Sequence, residues 1–465
     1  MQILYSEAAR RARYRDIPSD GPLIRRLKKL LCFLPVRIQK NERLMKILLV
    51  IGYVWPEPKS SAAGSRMLQL LKAFQQQSYD IVYASPADES DHAVNLAELN
   101  IRAEKIELNN SSFDEFVAEL NPQAVMFDRF MMEEQFGWRV EKVCPGAVRI
   151  LDSEDLHFLR HARHAALKAG EDNIIFPEDN YLFSEMAKRE VAAILRCDIT
   201  LTISEFEMDL LKNRFNIPAE ILLYCPFMLE QEKANFELKP FEQRRHFVSI
   251  GNFRHEPNWD AVRYLKEKIW PLIRKQLPEA ELHVYGAYPP KKATQLHNEK
   301  QGFLVKGWAD DALKVVANAR VMLAPIRFGA GLKGKLIDAA LCHTPAVTTE
   351  IGAEGVYDEN TNEAAVVTHT KDIQCFADAA VRLYSQQPDW QASAGAAANV
   401  IGERFAYAER TQSLADKMER VSAGLQQHRL ANFYGSMLRH HSLKSSQYMS
   451  QWIEVKNRLK DMADD

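Results

Sequence analysis

Residues 321–340 read VMLAPIRFGAGLKGKLIDAA. Val321 to Ala324 is a short apolar run, the pattern of a buried parallel strand. A loop from Pro325 to Lys333 follows, carrying Gly329 and Gly331, and Lys335 to Leu341 then has the spacing of a helix. Strand, glycine-rich turn and helix, in that order, form half of a parallel α/β unit. Glycines here free backbone N–H groups to face a ligand. Arg327, Lys333 and Lys335 supply the cationic charge a diphosphate needs. The helix adds the positive end of its dipole. Asp338 lies three residues past Lys335 on the same helix face, where a carboxylate can accept hydrogen bonds from ribose hydroxyls. A Lys335–Asp338 salt bridge on a solvated face is the plainer reading of those two residues, but it leaves the clustered glycines unexplained.

The same alternation runs along most of the chain. Lys46 to Ile51 predicts a buried strand, a loop with Pro56, Pro58, Ser60, Ser61 and Gly64 follows, and Met67, Leu68, Leu70, Leu71 and Phe74 mark a helix. Asp80–Ala84, Ala124–Phe127, Ala147–Leu151 and Ile199–Ile203 predict further strands. A second series starts near 246. His246–Gly251, Glu281–Tyr285, Phe303–Val305, Val321–Ala324 and Pro345–Thr348 read as strands, and Trp259–Leu277, Leu313–Ala319 and Lys335–Leu341 as helices. Two α/β units of similar size, 45–228 and 240–407, are therefore expected, joined near Pro226–Pro240. Residues 408–465 read as a charged helical segment.

Bulk composition sets limits. The chain has 465 residues, more than one core usually serves. A net charge of -2 gives no sign of a nucleic-acid partner. The six cysteines form no CxxC pair and no Cys/His cluster with metal spacing, which favours reduced thiols and a cytoplasmic location. No apolar run reaches the roughly 18–20 residues that span a bilayer. Residues 1–44 differ from the rest, with a local charge of +7 and Leu23, Ile24, Leu27, Leu30, Leu31 and Leu34 near helical spacing. Such a basic amphipathic extension can lie on an anionic membrane surface; the alternative is an ordinary helix packed on the body.

In tandem Rossmann-like domains, ligands bind at the carboxyl ends of the strands, across the cleft. Four loops there carry chemistry. The first, Pro56 to Arg66, is rich in small residues and opens a helix, which suits an anion. The second, Asp152-Ser153-Glu154-Asp155-Leu156-His157, places three carboxylates and a histidine at a strand end, which can orient sugar hydroxyls or act as a base. Its plainer reading is a helix cap by Ser153 or Asp155. In the third, Gly251 to Asp260, Gly251 and Asn252 permit a tight turn, Arg254 and His255 can meet phosphate, and Asn258 can cap the next helix. The fourth is the stretch quoted first.

On these residues the chain resembles the GT-B glycosyltransferases, specifically the family 4-like group of retaining enzymes. The likeness covers roughly 45–423. It is carried by GAGLKGKLIDAALCHTPAVTTEIGAEG (329–355), GNFRHEPNWDAV (251–262), ILDSEDLHFLRHAR and TISEFEMDLL. The resemblance implies two Rossmann-like domains facing across a cleft, the first for the acceptor and the second for a nucleotide-diphosphate sugar, with helical extensions at both ends and a last helix crossing back. Carried over, Gly251, Asn252 and Arg254 line the nucleotide pocket, Lys335 contacts the diphosphate, Asp338 takes the ribose position, and Gly64 sits beneath the donor phosphates. Three departures stand out. Ala330 occupies the place of a frequent glutamate, Arg254 is half of a usual Arg/Lys pair, and Glu154 stands where many members have histidine, with His157 close by.

The expected activity is transfer of a hexose-like sugar, with retention, to a carbohydrate, lipid-linked or protein acceptor in bacterial surface polysaccharide or glycolipid synthesis. Glu154, Asp155, His157 and Lys335 are the expected catalytic groups, and no metal or other cofactor is expected. The location is cytoplasmic, with peripheral contact at the inner membrane face as an option. A sugar-nucleotide epimerase and a non-catalytic nucleotide-sugar-binding subunit are the competing readings.

Overall fold

A computed structural model describes residues 46–230, 238–358, 361 and 364–464. The expected basic helix in 1–44 lies outside the described residues. Seven parallel strands form the first sheet: β1 Lys46–Ile51, β2 Tyr79–Ser85, β3 Arg102–Lys105, β4 Ala124–Asp128, β5 Val148–Asp152, β6 Ile199–Thr202 and β7 Leu222–Tyr224. Their order is β3-β2-β1-β4-β5-β6-β7. The second sheet holds β8 Arg245–Ile250, β9 Leu282–Tyr285, β10 Phe303–Gly307, β11 Ala319–Ala324, β12 Ala346–Thr349 and β13 Val366–Thr368, in the order β10-β9-β8-β11-β12-β13.

The apolar runs are continuous because helices cover both faces of each sheet. In β1, Leu49 and Ile51 enter one core cluster, while Leu48 and Val50 enter the other. Strand alternation thus feeds two apolar layers from one segment. Three strands lie outside those expected from the sequence: β3, β7 and β13 are only three or four residues long and sit at sheet edges. Three of the four residues of β3 are exposed, so it needs no apolar run. The helix expected over Trp259–Leu277 is not uniform. Glu256–Tyr264 passes through a π-helical turn, Leu265–Ile269, into Trp270–Gln276. Pro271 at the start of the last segment lacks an N–H, and the wider turn accommodates its ring.

After the second sheet, helix Tyr407–Ala423 returns to the first. Leu414, Met418 and Val421 join the core beneath β1 and β4. The return continues with Arg429, whose guanidinium holds Asp198 at 2.7–2.8 Å and the Ala147 carbonyl at 2.7 Å. Glu454 on the long helix Phe433–Asp464 accepts from the Ser111 N–H at 3.1 Å. The outgoing and returning chains run side by side: Leu229 N–H donates to Phe405 O (2.8 Å) and Tyr407 N–H to Leu229 O (3.0 Å). No described helix is long and apolar enough to cross a membrane.

Candidate active site

Each sheet reverses its strand order once, between β1 and β4 and between β8 and β11. A crevice opens at such a switch point, outside the strand ends. In the second domain that crevice is walled by the loop after β8, from Gly251, and the loop after β11, from Pro325. Two of the loops chosen from sequence are therefore brought together.

At their meeting point Lys335 Nζ donates to Asn258 Oδ1 at 2.8 Å, and Asn258 Nδ2 donates to Asn252 O at 3.0 Å. Asn258 is thus a support for Lys335 and not the helix cap expected of it; His255 occupies the cap position. A Cβ on Gly251 would lie 2.7 Å from the Asn258 side chain and 2.9 Å from Lys335 Nζ, so only glycine leaves this space open. Burial pulls the Lys335 ammonium down to about 8, against the attraction of Asp338. Burial pushes Asp338 up to about 7, against the pull of Lys335. The pair is electrostatically linked, while the ammonium's hydrogen bond goes to Asn258. Lys333 Nζ turns back onto Gly331 O at 2.8 Å. No side chain caps the helix Gly334–Leu341, which leaves its positive end facing the crevice.

One donor-side expectation changes. Arg327 does not stand free for phosphate: its Nε and Nη2 grip Asp260 at 2.8 and 2.5 Å, above the Tyr264 ring. A planar guanidinium finds its bidentate partner within its own domain. Gly64 is seated on its own loop, since a Cβ there would fall 2.5 Å from the Glu57 backbone. The residue of that helix that meets the donor-side helix is Ala62, whose Cβ lies 2.6 Å from the position a Gly334 Cβ would take. Arg254 remains at the mouth, 3.5 Å above the Tyr288 ring, with its N–H on Asn252 Oδ1.

The acidic string of the first domain divides. Glu154 has a positive φ of 54° and turns inward. Arg66, fully buried, donates to both oxygens of Asp152 (2.6 and 2.8 Å), to Glu154 (3.2 Å) and to the Cys225 carbonyl. Burial drives the Glu154 carboxyl well above the ordinary range, with Asp152 adding to the rise and Arg66 and Arg129 opposing it. The structure therefore makes Glu154 part of a buried ion cluster, where a cleft-facing carboxylate was expected. Asp155 faces the other way, toward Arg160 and, at 3.6 Å, His157 Nε2. Arg160 and His157 hold the Asp155 carboxyl below its usual range despite burial. Desolvation pushes both His157 and His255 down to about 4, although Asp155 pulls the other way. His255 comes from the second domain and lies near enough to feel the charges of Asp155 and Arg160 of the first domain and of Lys333 and Lys335 of its own.

The expected cap on helix His157–Ala169 is also different. Neither Ser153 nor Asp155 fills it; Glu190 accepts from His157 N–H (3.1 Å) and Phe158 N–H (2.9 Å), and Glu207 accepts from Leu156 N–H (2.8 Å). Local sequence reading missed these caps because both acids arrive from other helices. Burial pushes both carboxyls up to about 8. In the unfolded chain they titrate near 4.5, so the folded state holds protons that the unfolded state has lost. The stability from this source is complete below about 4.5 and is lost as pH rises through 8. The melting temperature is expected to fall between pH 6.5 and 8.5, and Glu190→Gln should flatten that fall. An equally steep fall in Glu190→Gln would contradict the assignment.

Comparison with known proteins finds chains of similar fold. Residues 244–386 match the family model of glycosyl transferases group 1. Among solved structures, Anabaena HepE in complex with UDP and glucose is similar with a TM-score of 0.60 and 11% identity, over 81% of this chain and 99% of that one. Sucrose-phosphate synthase from Thermosynechococcus elongatus has a TM-score of 0.57 and 13% identity, over 81% and 99%. WaaG, a glycosyltransferase involved in lipopolysaccharide biosynthesis, has a TM-score of 0.55 and 13% identity, over 79% and 98%. A Klebsiella pneumoniae protein described as an uncharacterized 44.6 kDa protein in the cps region is 24% identical over 218 residues, 44% of this chain and 53% of that protein. The matched region thus spans about half the length of this curated relative. The fold is GT-B, and the group 1 glycosyl transferase match falls within the second domain.

Proposed function

We propose that the chain transfers a sugar from a nucleotide-diphosphate sugar to an acceptor hydroxyl, with retention at the anomeric carbon, in bacterial surface polysaccharide or glycolipid synthesis. The observation that carries this reading is Lys335, held by Asn258 above Gly251 at the switch point of the second sheet. The ammonium, the uncapped helix end and the loop N–H groups stabilise the charge that develops on the leaving nucleoside diphosphate. Asp338 accepts from the ribose. Asp155, His157 and His255 line the acceptor side, where neutral imidazoles orient hydroxyls without competing for the diphosphate. The acceptor attacks from the leaving-group face. The five described cysteines are free, which supports a reducing, cytoplasmic setting.

Thermal shift against UDP-, GDP- and ADP-sugars tests the donor. A matching donor at 100 times its Kd should add about 2.7 kcal/mol of stability. UDP-hexose is the first choice, since the similar HepE structure holds UDP and glucose. No shift with any nucleotide sugar would remove the proposal. Release of an epimerised free sugar without an acceptor would replace transfer by epimerisation.

A further inference from the structure

The loop Gly329-Ala330-Gly331 belongs to the second domain, yet first-domain side chains hold it. Arg163, on helix His157–Ala169, is fully buried and uses all of its donors. Nη1 donates to Gly329 O (2.8 Å) and Glu354 Oε1 (3.0 Å), Nη2 to Glu354 Oε2 (2.6 Å) and Ile175 O (2.8 Å), and Nε to Ile175 O (3.1 Å). Glu207, equally buried, accepts the Gly331 N–H at 2.9 Å through the oxygen that also accepts Leu156 N–H. The two contacts fall on either side of Ala330, which itself packs into the first domain's core. Gly331 has a φ of 61°, and a Cβ there would stand 2.8 Å from Asp155 Cβ. The loop is therefore seated on the first domain as tightly as on its own.

Resting on the donor-site reading above, we propose that Arg163 and Glu207 are positioning residues that set the donor loop from across the cleft. Domain closure and loop conformation are then one event. With the domains apart, Gly329 O and Gly331 N–H lose their partners, and the backbone that leads into Lys333 and Lys335 loses its fixed path. A guanidinium with five satisfied donors and a carboxyl oxygen bridging two N–H groups favour one geometry over a continuum of partly closed ones.

Hydrogen–deuterium exchange on the full chain tests this without requiring catalysis. In Arg163→Met and Glu207→Met, amide exchange across 329–336 should rise at least tenfold while the strands of both sheets stay protected. Glu207→Gln, which keeps an acceptor, should restore most of the protection. Where donor turnover is measurable, kcat should fall about 10–100-fold in the Met variants, the scale of a 1 Å misplacement, with nucleoside diphosphate affinity changed much less. Unchanged exchange at 329–336, or a rise spread evenly over the chain, would overturn the proposal. A wild type inert toward every nucleotide sugar would instead refute the donor reading and leave the exchange result to judge the clamp.

Discussion

Lys335→Ala is expected to lower kcat for sugar transfer by about 10²–10³, the loss seen when one preorganised charge stabiliser is removed. The argument rests on where the ammonium is held. Asn258 fixes Nζ from one side, Gly251 leaves space beneath it, and burial has already stripped part of its water. Charge developing on the leaving diphosphate therefore meets a cation that does not need to reorganise. Folding should survive, because the group removed is a half-buried ammonium and its neutral partner Asn258 can turn to solvent. Steady-state kinetics with the donor found by thermal shift, beside a melting curve, checks both parts. A folded variant with wild-type turnover would move the diphosphate contact elsewhere. Lys335→Arg should not restore the rate, since a forked guanidinium does not occupy the space of a point charge.

The largest stability effect is expected from Arg66→Met. Arg66 offsets the buried Asp152 carboxylate, donates to the Glu154 carboxyl and ties both to the Cys225 carbonyl. Removing one partner of a buried ion cluster costs about 3–5 kcal/mol, because the remaining charges stay desolvated. A loss of that size lowers the melting temperature by on the order of 10 °C. Differential scanning fluorimetry reads it directly. Asp152→Asn combined with Arg66→Met should recover part of the loss, since the double variant removes an unpaired charge. An unchanged melting temperature in Arg66→Met would show that the cluster is balanced by other groups.

Much of the fold was readable in the sequence because parallel strands covered on both faces are apolar throughout. The edges were not: β3 is Arg-Ala-Glu-Lys, whose side chains meet water, and nothing in their spacing marks a strand. The donor-side crevice was readable for a similar reason. Gly251, Gly331 and Lys335 lie close in sequence to the strand ends that position them, so local order and spatial order coincide. The first-domain site was less legible. Whether Glu154 faces the cleft or Arg66 depends on one backbone angle and on a partner 88 residues away. Across the two domains Arg163 meets Glu354 at a separation of 191 residues, and Glu207 meets the Gly331 N–H at 124. In sequence each of these side chains is one charged residue among the 26% that are charged. Arg327 misled because a cation beside glycines suits phosphate, while Asp260, 67 residues earlier, takes it first.

The return of helix Tyr407–Ala423 makes the first domain discontinuous in the chain, with the second domain inserted between Met228 and Tyr407. Synthesis from the N-terminus therefore delivers the complete second domain before the first domain has its last core helix. Leu414, Met418, Val421 and the Arg429 clasp emerge only after the whole second domain. The half that comes second in the sequence is the half that can finish folding first. A nascent chain stopped before 407 carries a first domain whose core under β1 still lacks one wall.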